Sequence, residues 1–203
     1  MKMLGTHNTM TYLKPHKWWM KLINFTAKCQ DINIEKQFEL GVRFFDMRVR
    51  LVGDKLTLAH GIVEYNVDPL IMATTLIILA NVYPEEQIYC RVMSEDNFMS
   101  KKQRIKQDLA FISYCDDLKE RIKDMPKNLH FVGGCRKTDW VCIAPFEERQ
   151  PSMEGCHASV GKNLIGYIWP WFYSKLHNKA AHKCGTEKDV FMLDFVELGM
   201  PKK

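Results

Sequence analysis

Hydrophobic and polar positions along the chain change period several times, and each change predicts an element. Residues 3–6 read as a short strand that leads into a turn at His7. The stretch WWMKLINF lies within 16–30, a helix preceded by Pro15, and IEKQFELG (34–41) keeps apolar residues at helical spacing until Gly41 stops it. VRFFDMRVRLV (42–52) then alternates strictly: Phe45, Met47 and Val49 on one face, Asp46, Arg48 and Arg50 on the other. That is the period of a strand. A Gly-Asp turn precedes a second strand at 54–61, which ends on His60-Gly61. Residues 68–86 read as a helix closed by Tyr83-Pro84, 87–96 as a buried strand and 101–123 as the longest amphipathic helix. Strands are expected at 128–134 and 140–145, and a closing strand at 189–198, while 163–183 is mixed in pattern.

Strands that alternate with helices of this length make βα units and a mainly parallel sheet. An open doubly wound sheet and a closed (β/α) barrel both fit that order. The absence of a GxGxxG or Walker sequence counts against nucleotide binding. At 203 residues the chain is long enough for one domain, 1–203, with a substantial core. A content of 46% hydrophobic and 26% charged residues excludes a mostly disordered chain.

The formal charge of +5 is mild and scattered, which suits anionic partners such as phosphates or acidic lipid without pointing to nucleic acid. Seven cysteines, at 29, 90, 115, 135, 142, 156 and 184, form no tight pairing pattern. Free thiols in a reducing compartment are the expectation. A zinc site drawn from Cys135, Cys142, Cys156, His157, His182 and Cys184 would lack the usual ligand spacing. Neither a signal peptide nor a run long enough to span a bilayer is visible, so a soluble, monomeric chain is expected.

Candidate chemistry sits at the ends of the predicted strands, where barrel enzymes gather their catalytic residues. There the reading finds His7-Asn8, Asp46 with Arg48, His60, Arg91 with Glu95, and Asp194. Two histidines, two acids and an arginine are what in-line displacement at phosphorus needs. One histidine takes a proton from the attacking hydroxyl and the other gives one to the leaving oxygen. A guanidinium binds the phosphate oxygens in a fork, and each histidine needs a carboxylate to fix its tautomer. Plainer readings stand beside this: His60 before a glycine suits a simple turn, and Asp46 with Arg48 suits a structural ion pair. Asp194 inside FMLDFV is harder to explain without a partner.

LGTHNTMTYL, QFELGVRFFDMRVR and LAHG, in this order and spacing, resemble the catalytic X-domain of phosphatidylinositol-specific phospholipase C, within the PLC-like phosphodiesterase superfamily. The match covers residues 3–100, and VFMLDFVEL resembles the family's last strand. The resemblance implies an α/β fold, a compact and distorted TIM barrel. It implies His7 as general base toward the inositol 2-hydroxyl and His60 as general acid toward the diacylglycerol oxygen. Asp194 would support His7, Asp46 would support His60, and Arg48 would hold the phosphate as in the metal-independent bacterial members.

In the eukaryotic members calcium takes the arginine's place. Asn8 and Asp46 would suit such a site, but the charge of Arg48 opposes it, so no metal cofactor is expected. Asn8 is then a substrate contact. This chain departs from the family near Met93, where a lysine or glutamate is expected, and Arg91 or Glu95 would bind substrate instead. Trp18 and Trp19, among three lysines in KPHKWWMK, suit contact with a membrane surface or places in the core, whereas YIWPWFY (167–173) is expected in the core. Two alternatives remain open: a metal-dependent enzyme of glycerophosphodiester or sphingomyelinase D type, and a catalytically silent headgroup-binding barrel.

Overall fold

The computed structural model describes residues 3–155, 168–181 and 188–198. Among them the order is β1 (Met3–Thr6), α1 (Trp18–Ala27), α2 (Ile34–Glu39), β2 (Val42–Val52), β3 (Lys55–His60), β4 (Val63–Glu64), α3 (Pro69–Val82), β5 (Ile88–Ser94), α4 (Lys101–Ile122), β6 (Leu129–Arg136), β7 (Met153–Gly155), α5 (Pro170–Ala181) and β8 (Val190–Leu193). The chain divides into two compact units, Met1–Phe45 with Pro151–Lys203, and Asp46–Gln150.

In the first unit β1 lies between the start of β2 and β8, parallel to both, with Thr6 opposite Phe45 and Leu193. β7 continues the set, parallel to β8. Gly5 is dictated by this packing, because a Cβ there would lie 2.9 Å from Val190 Cγ1 and 3.2 Å from Phe44 Cβ. Asn33 caps α2 by accepting from the Lys36 amide, and Gly41 ends it with φ +96°, a conformation that favours glycine.

In the second unit β2 pairs antiparallel with β3, and β3 with β4 through a two-residue turn whose first residue, Gly61, has φ +60°. β5 pairs with β2 and, in parallel, with β6. Ser100 and Gln103 form a capping box that starts α4, and the helix buries Gln107, Phe111, Cys115 and Leu118 at helical spacing. The Gln107 side chain donates to Val49 O and Ser94 Oγ, tying the helix to β2 and β5.

The fold is therefore mixed α/β. Among the described residues β6 pairs with β5 and β7 with β8, so the described strands form an open sheet where a closed barrel was expected. The expected strand at 140–145 reduces to a single bridge between Cys135 and Cys142. Gly134 explains the approach of that segment: a Cβ there would lie 2.0 Å from Ala144 O. The closing strand stops at Leu193, because Phe195 turns the backbone with φ +46°.

Cys135 and Cys142 form a disulfide, which corrects the expectation of free thiols for this pair and removes both from any zinc site. Cys29, Cys90 and Cys115 are free and buried. Burial pushes the Cys115 thiol up to about 12, so it packs as a small apolar group. Cys156, His157, His182 and Cys184 lie outside the described residues. Among the described residues no helix is long and apolar enough to cross a membrane.

Candidate active site

His7 follows the last residue of β1, and its amide donates to Leu193 O on β8 (3.1 Å). The turn it enters is fixed by side chains the sequence places nearby. Asn8 takes φ +43°, a conformation tolerated by asparagine. Thr11 Oγ1 donates to Asn8 O and accepts from the amides of Cys29 and Gln30. The buried Gln30 amide donates to both His7 O (3.1 Å) and Leu193 O (2.9 Å), and its Oε1 accepts from Val196 N. From α5, Asn178 Nδ2 donates to Asp194 O and Phe195 O. Two amide side chains thus hold the strand ends that carry His7 and Asp194.

The result is a short bond between His7 Nδ1 and Asp194 Oδ1 (3.0 Å), both buried, across 187 positions of sequence. An ionised carboxylate only accepts, so Nδ1 carries the proton and Nε2 presents its lone pair. A histidine held in that tautomer is equipped to accept a proton elsewhere.

Both faces of β2 are buried from Phe44 to Val49, including the polar one, which enters the second unit at Asp46. Asp46 Oδ2 accepts from Arg48 Nε (2.9 Å) and Asp46 Oδ1 from Arg91 Nε (2.8 Å). Arg48 Nη1 lies 3.4 Å from Glu95 Oε2, and Asn97 donates to the other Glu95 oxygen. Arg50 donates to Gly61, Glu95 and Asn97 carbonyls. Arg48 is only 2% exposed. Buried charges persist only when paired and hydrogen-bonded, and here each carboxylate meets a guanidinium.

His60 ends β3, half-buried and opposite Val63, at the two-residue turn. Arg91 and Glu95, expected to bind substrate, are bonded to Asp46 and Arg48. Asp46, one of the residues a calcium site would have used, accepts from the guanidiniums of both Arg48 and Arg91. Trp18 and Trp19 lie on α1, 74% and 38% exposed. In the 167–173 stretch, Trp169 and Phe172 are exposed and Tyr173 is buried, so only part of it packs in the core, and Tyr167 lies outside the described residues.

Sequence reasoning missed Gln30, Lys137 and Trp140. Lys137 lies just beyond β6, its Nζ 5.0 Å from the Trp140 ring centre, with the Arg91 guanidinium 5.7 Å from the same ring. Burial, then Arg48, lowers the Lys137 ammonium from 10.5 to about 8. No periodicity signals such a loop residue. Gln30, a polar residue in a turn, gives no sign of bonding two strand ends.

No family model matches the chain. A curated relative, 1-phosphatidylinositol phosphodiesterase of Listeria monocytogenes, is 30% identical over 93 residues, which are 46% of this chain and 28% of that relative's length. The fold is similar to the solved phosphatidylinositol-specific phospholipase C of Listeria monocytogenes, with TM-score 0.60 and 16% identity over 96% of this chain and 88% of that one. It is also similar to a variant of the Staphylococcus aureus phosphatidylinositol-specific phospholipase C, with TM-score 0.60 and 14% identity over 95% of this chain and 84% of that one.

Proposed function

We propose that the chain is a phosphoric diester-cleaving enzyme of phospholipase C type that acts on a phosphatidylinositol-like lipid. The observation that carries this reading is the buried His7–Asp194 pair, which leaves Nε2 of His7 as a ready base. Nε2 takes the proton of the inositol 2-hydroxyl, and that oxygen attacks phosphorus. Arg48, oriented by Asp46 and Glu95, binds the equatorial oxygens as their charge grows. His60, supported by Asp46, protonates the diacylglycerol oxygen as its bond to phosphorus breaks, and a cyclic inositol phosphate leaves. Asn8 contacts the substrate, and Arg91 and Glu95 act through Asp46 and Arg48. The reaction uses no metal ion, because the guanidiniums supply the positive charge. The name of the curated relative supports the substrate class.

Lipid contact is part of the proposal. Trp18, Trp19, Leu22 and Phe25 are exposed on α1, and Phe172 and Leu176 on α5, the helix that packs against it, with Trp169 exposed just before that helix. Lys14 and Lys21 flank the tryptophans. Amphipathic aromatic rings beside basic residues suit the headgroup region of a bilayer. Vesicle binding, measured alongside turnover of a water-soluble inositol phosphodiester, tests the whole reading. It expects both, with vesicle binding weakened by Trp18→Ala and soluble turnover unchanged. Binding without turnover of any phosphodiester contradicts it and favours a silent headgroup-binding protein.

A further inference from the structure

Cys29 lies two residues past the end of α1, and the fold fixes it beside His7. Its amide donates to Thr11 Oγ1 (2.9 Å), and its carbonyl accepts from Phe195 N, one residue past Asp194. The next residue, Gln30, is the one whose side chain donates to His7 O and Leu193 O. The Cys29 thiol is 1% exposed and donates to Ala27 O across 3.5 Å. Its sulfur lies within 4.8 Å of a ring nitrogen of His7. Both residues are therefore held in place before any ligand arrives, which lowers the ordering cost of binding.

The phosphodiesterase chemistry gives this thiol no task. A buried thiol on its own packs as a small apolar group and needs no further account. This one has a second ligand beside it, prepared as metal sites prepare their histidines. His7 Nδ1 is held by the buried Asp194 Oδ1 at 3.0 Å, which leaves Nε2 with its lone pair. A metal-bound histidine almost always gives its other N–H to such a partner, which fixes the ring and raises its basicity. Thiolate and imidazole together select zinc-like ions over calcium and magnesium, which take oxygen. Zinc holds sulfur at about 2.3 Å and nitrogen at about 2.0–2.1 Å, so two donors on one tetrahedral ion lie roughly 3.6 Å apart. Side chains whose ligand atoms start within 4.8 Å reach that spacing by rotation about Cα–Cβ.

We propose that Cys29 and His7 bind a divalent ion of the zinc class, and that the bound ion switches catalysis off. Binding breaks the Cys29 S–H bond, sends its proton to solvent and forms metal bonds to Sγ and to His7 Nε2. Water fills the two remaining positions of the tetrahedron. With its lone pair on the ion, His7 takes no proton from a substrate hydroxyl. The inhibition rests on the phosphodiesterase reading, in which His7 is the base. The ion binding does not, because it follows from the two ligands and the carboxylate behind one of them.

The test is titration of the full chain with zinc, and with cobalt(II), which takes the same ligands and reports on them by absorbance. Cobalt should give a near-ultraviolet thiolate-to-metal band that is diminished in Cys29→Ala and in Cys29→Ser. Each of these variants, and His7→Ala, should bind one zinc ion fewer per chain than the wild type, so that ions held by any other cysteine cancel in the comparison. Asp194→Asn should keep the ion with affinity weakened by about 10–100-fold. Circular dichroism verifies that each variant is folded. A wild type without the cobalt band overturns the proposal, as does a zinc count unchanged in both Cys29 variants, since the thiol is then only a packed core group. Turnover of a water-soluble inositol phosphodiester is read in parallel. Saturating zinc should lower it by roughly 10²–10⁴-fold in the wild type, the cost of losing a general base, and should leave Cys29→Ala active. Zinc bound through Cys29 with turnover unaffected overturns the switch. Absence of turnover in the metal-free wild type with ion binding intact removes the phosphodiesterase reading and leaves the ion site standing.

Discussion

The His7–Asp194 pair and the Asp46–Arg48–Arg91–Glu95 network are both buried, yet they are assembled in opposite ways. The pair is a single bond whose geometry is set by neutral groups: Gln30 and Asn178 hold the backbone on either side of it. The network holds itself, each charge placed by its opposite on another residue. A site held by a neutral scaffold can lose a functional side chain while the fold persists. A site whose functional groups are also the scaffold cannot.

The sharpest way to break this contrast is to remove one member of each. His7→Ala should lower kcat/KM by roughly 10²–10⁴-fold, with a folded circular dichroism spectrum and a stability loss of about 1–3 kcal/mol from the stranded Asp194. Wild-type activity in this variant on every phosphodiester tested would remove His7 from the chemistry. Asp46→Ala should instead cost about 3–5 kcal/mol of unfolding free energy, because it leaves two buried guanidiniums without their shared carboxylate. Urea unfolding measures this, and an unchanged midpoint would show that the network is not structural.

A smaller effect concerns the loop that carries Lys137. The Cys135–Cys142 bridge closes a short loop, so reduction or Cys142→Ser should lower stability by about 2–3 kcal/mol. Comparing urea midpoints with and without reductant tests it. The smallest effect is a pH dependence. Lys137 holds its proton less tightly in the fold, about 8 against 10.5, so the unfolded chain binds more protons between those values. Unfolding free energy should therefore rise with pH across that window relative to Lys137→Met, with the full penalty present below it. Parallel pH profiles of the two proteins would expose the opposite sign.

The two regions also differ in how far they could be read from sequence. β2 was legible because a strand turns alternate side chains to opposite faces, and Asp46, Arg48 and Arg50 fall on one of them. Alternation did not reveal that this polar face is buried as well, since burial depends on what Arg91 on β5 and Glu95 just after it contribute. Asp194 stood out because a carboxylate in an apolar run needs a partner, and its partner proved to be His7. The pairing of residues 187 positions apart leaves no local trace, and neither do the Gln30 and Asn178 side chains that support it. The disulfide was missed because seven cysteines at irregular spacing fix no pairing. The antiparallel β3–β4 turn was missed because a two-residue turn before a two-residue strand is too short for periodicity to show.

Phosphorus NMR of phosphatidylinositol vesicles incubated with the protein, with and without excess chelator, tests the central claim most directly. The account predicts inositol 1,2-cyclic phosphate as the first product, formed equally in chelator and absent with His7→Ala. Headgroup release without a cyclic phosphate would contradict it, as would complete loss of activity in chelator that added calcium restores.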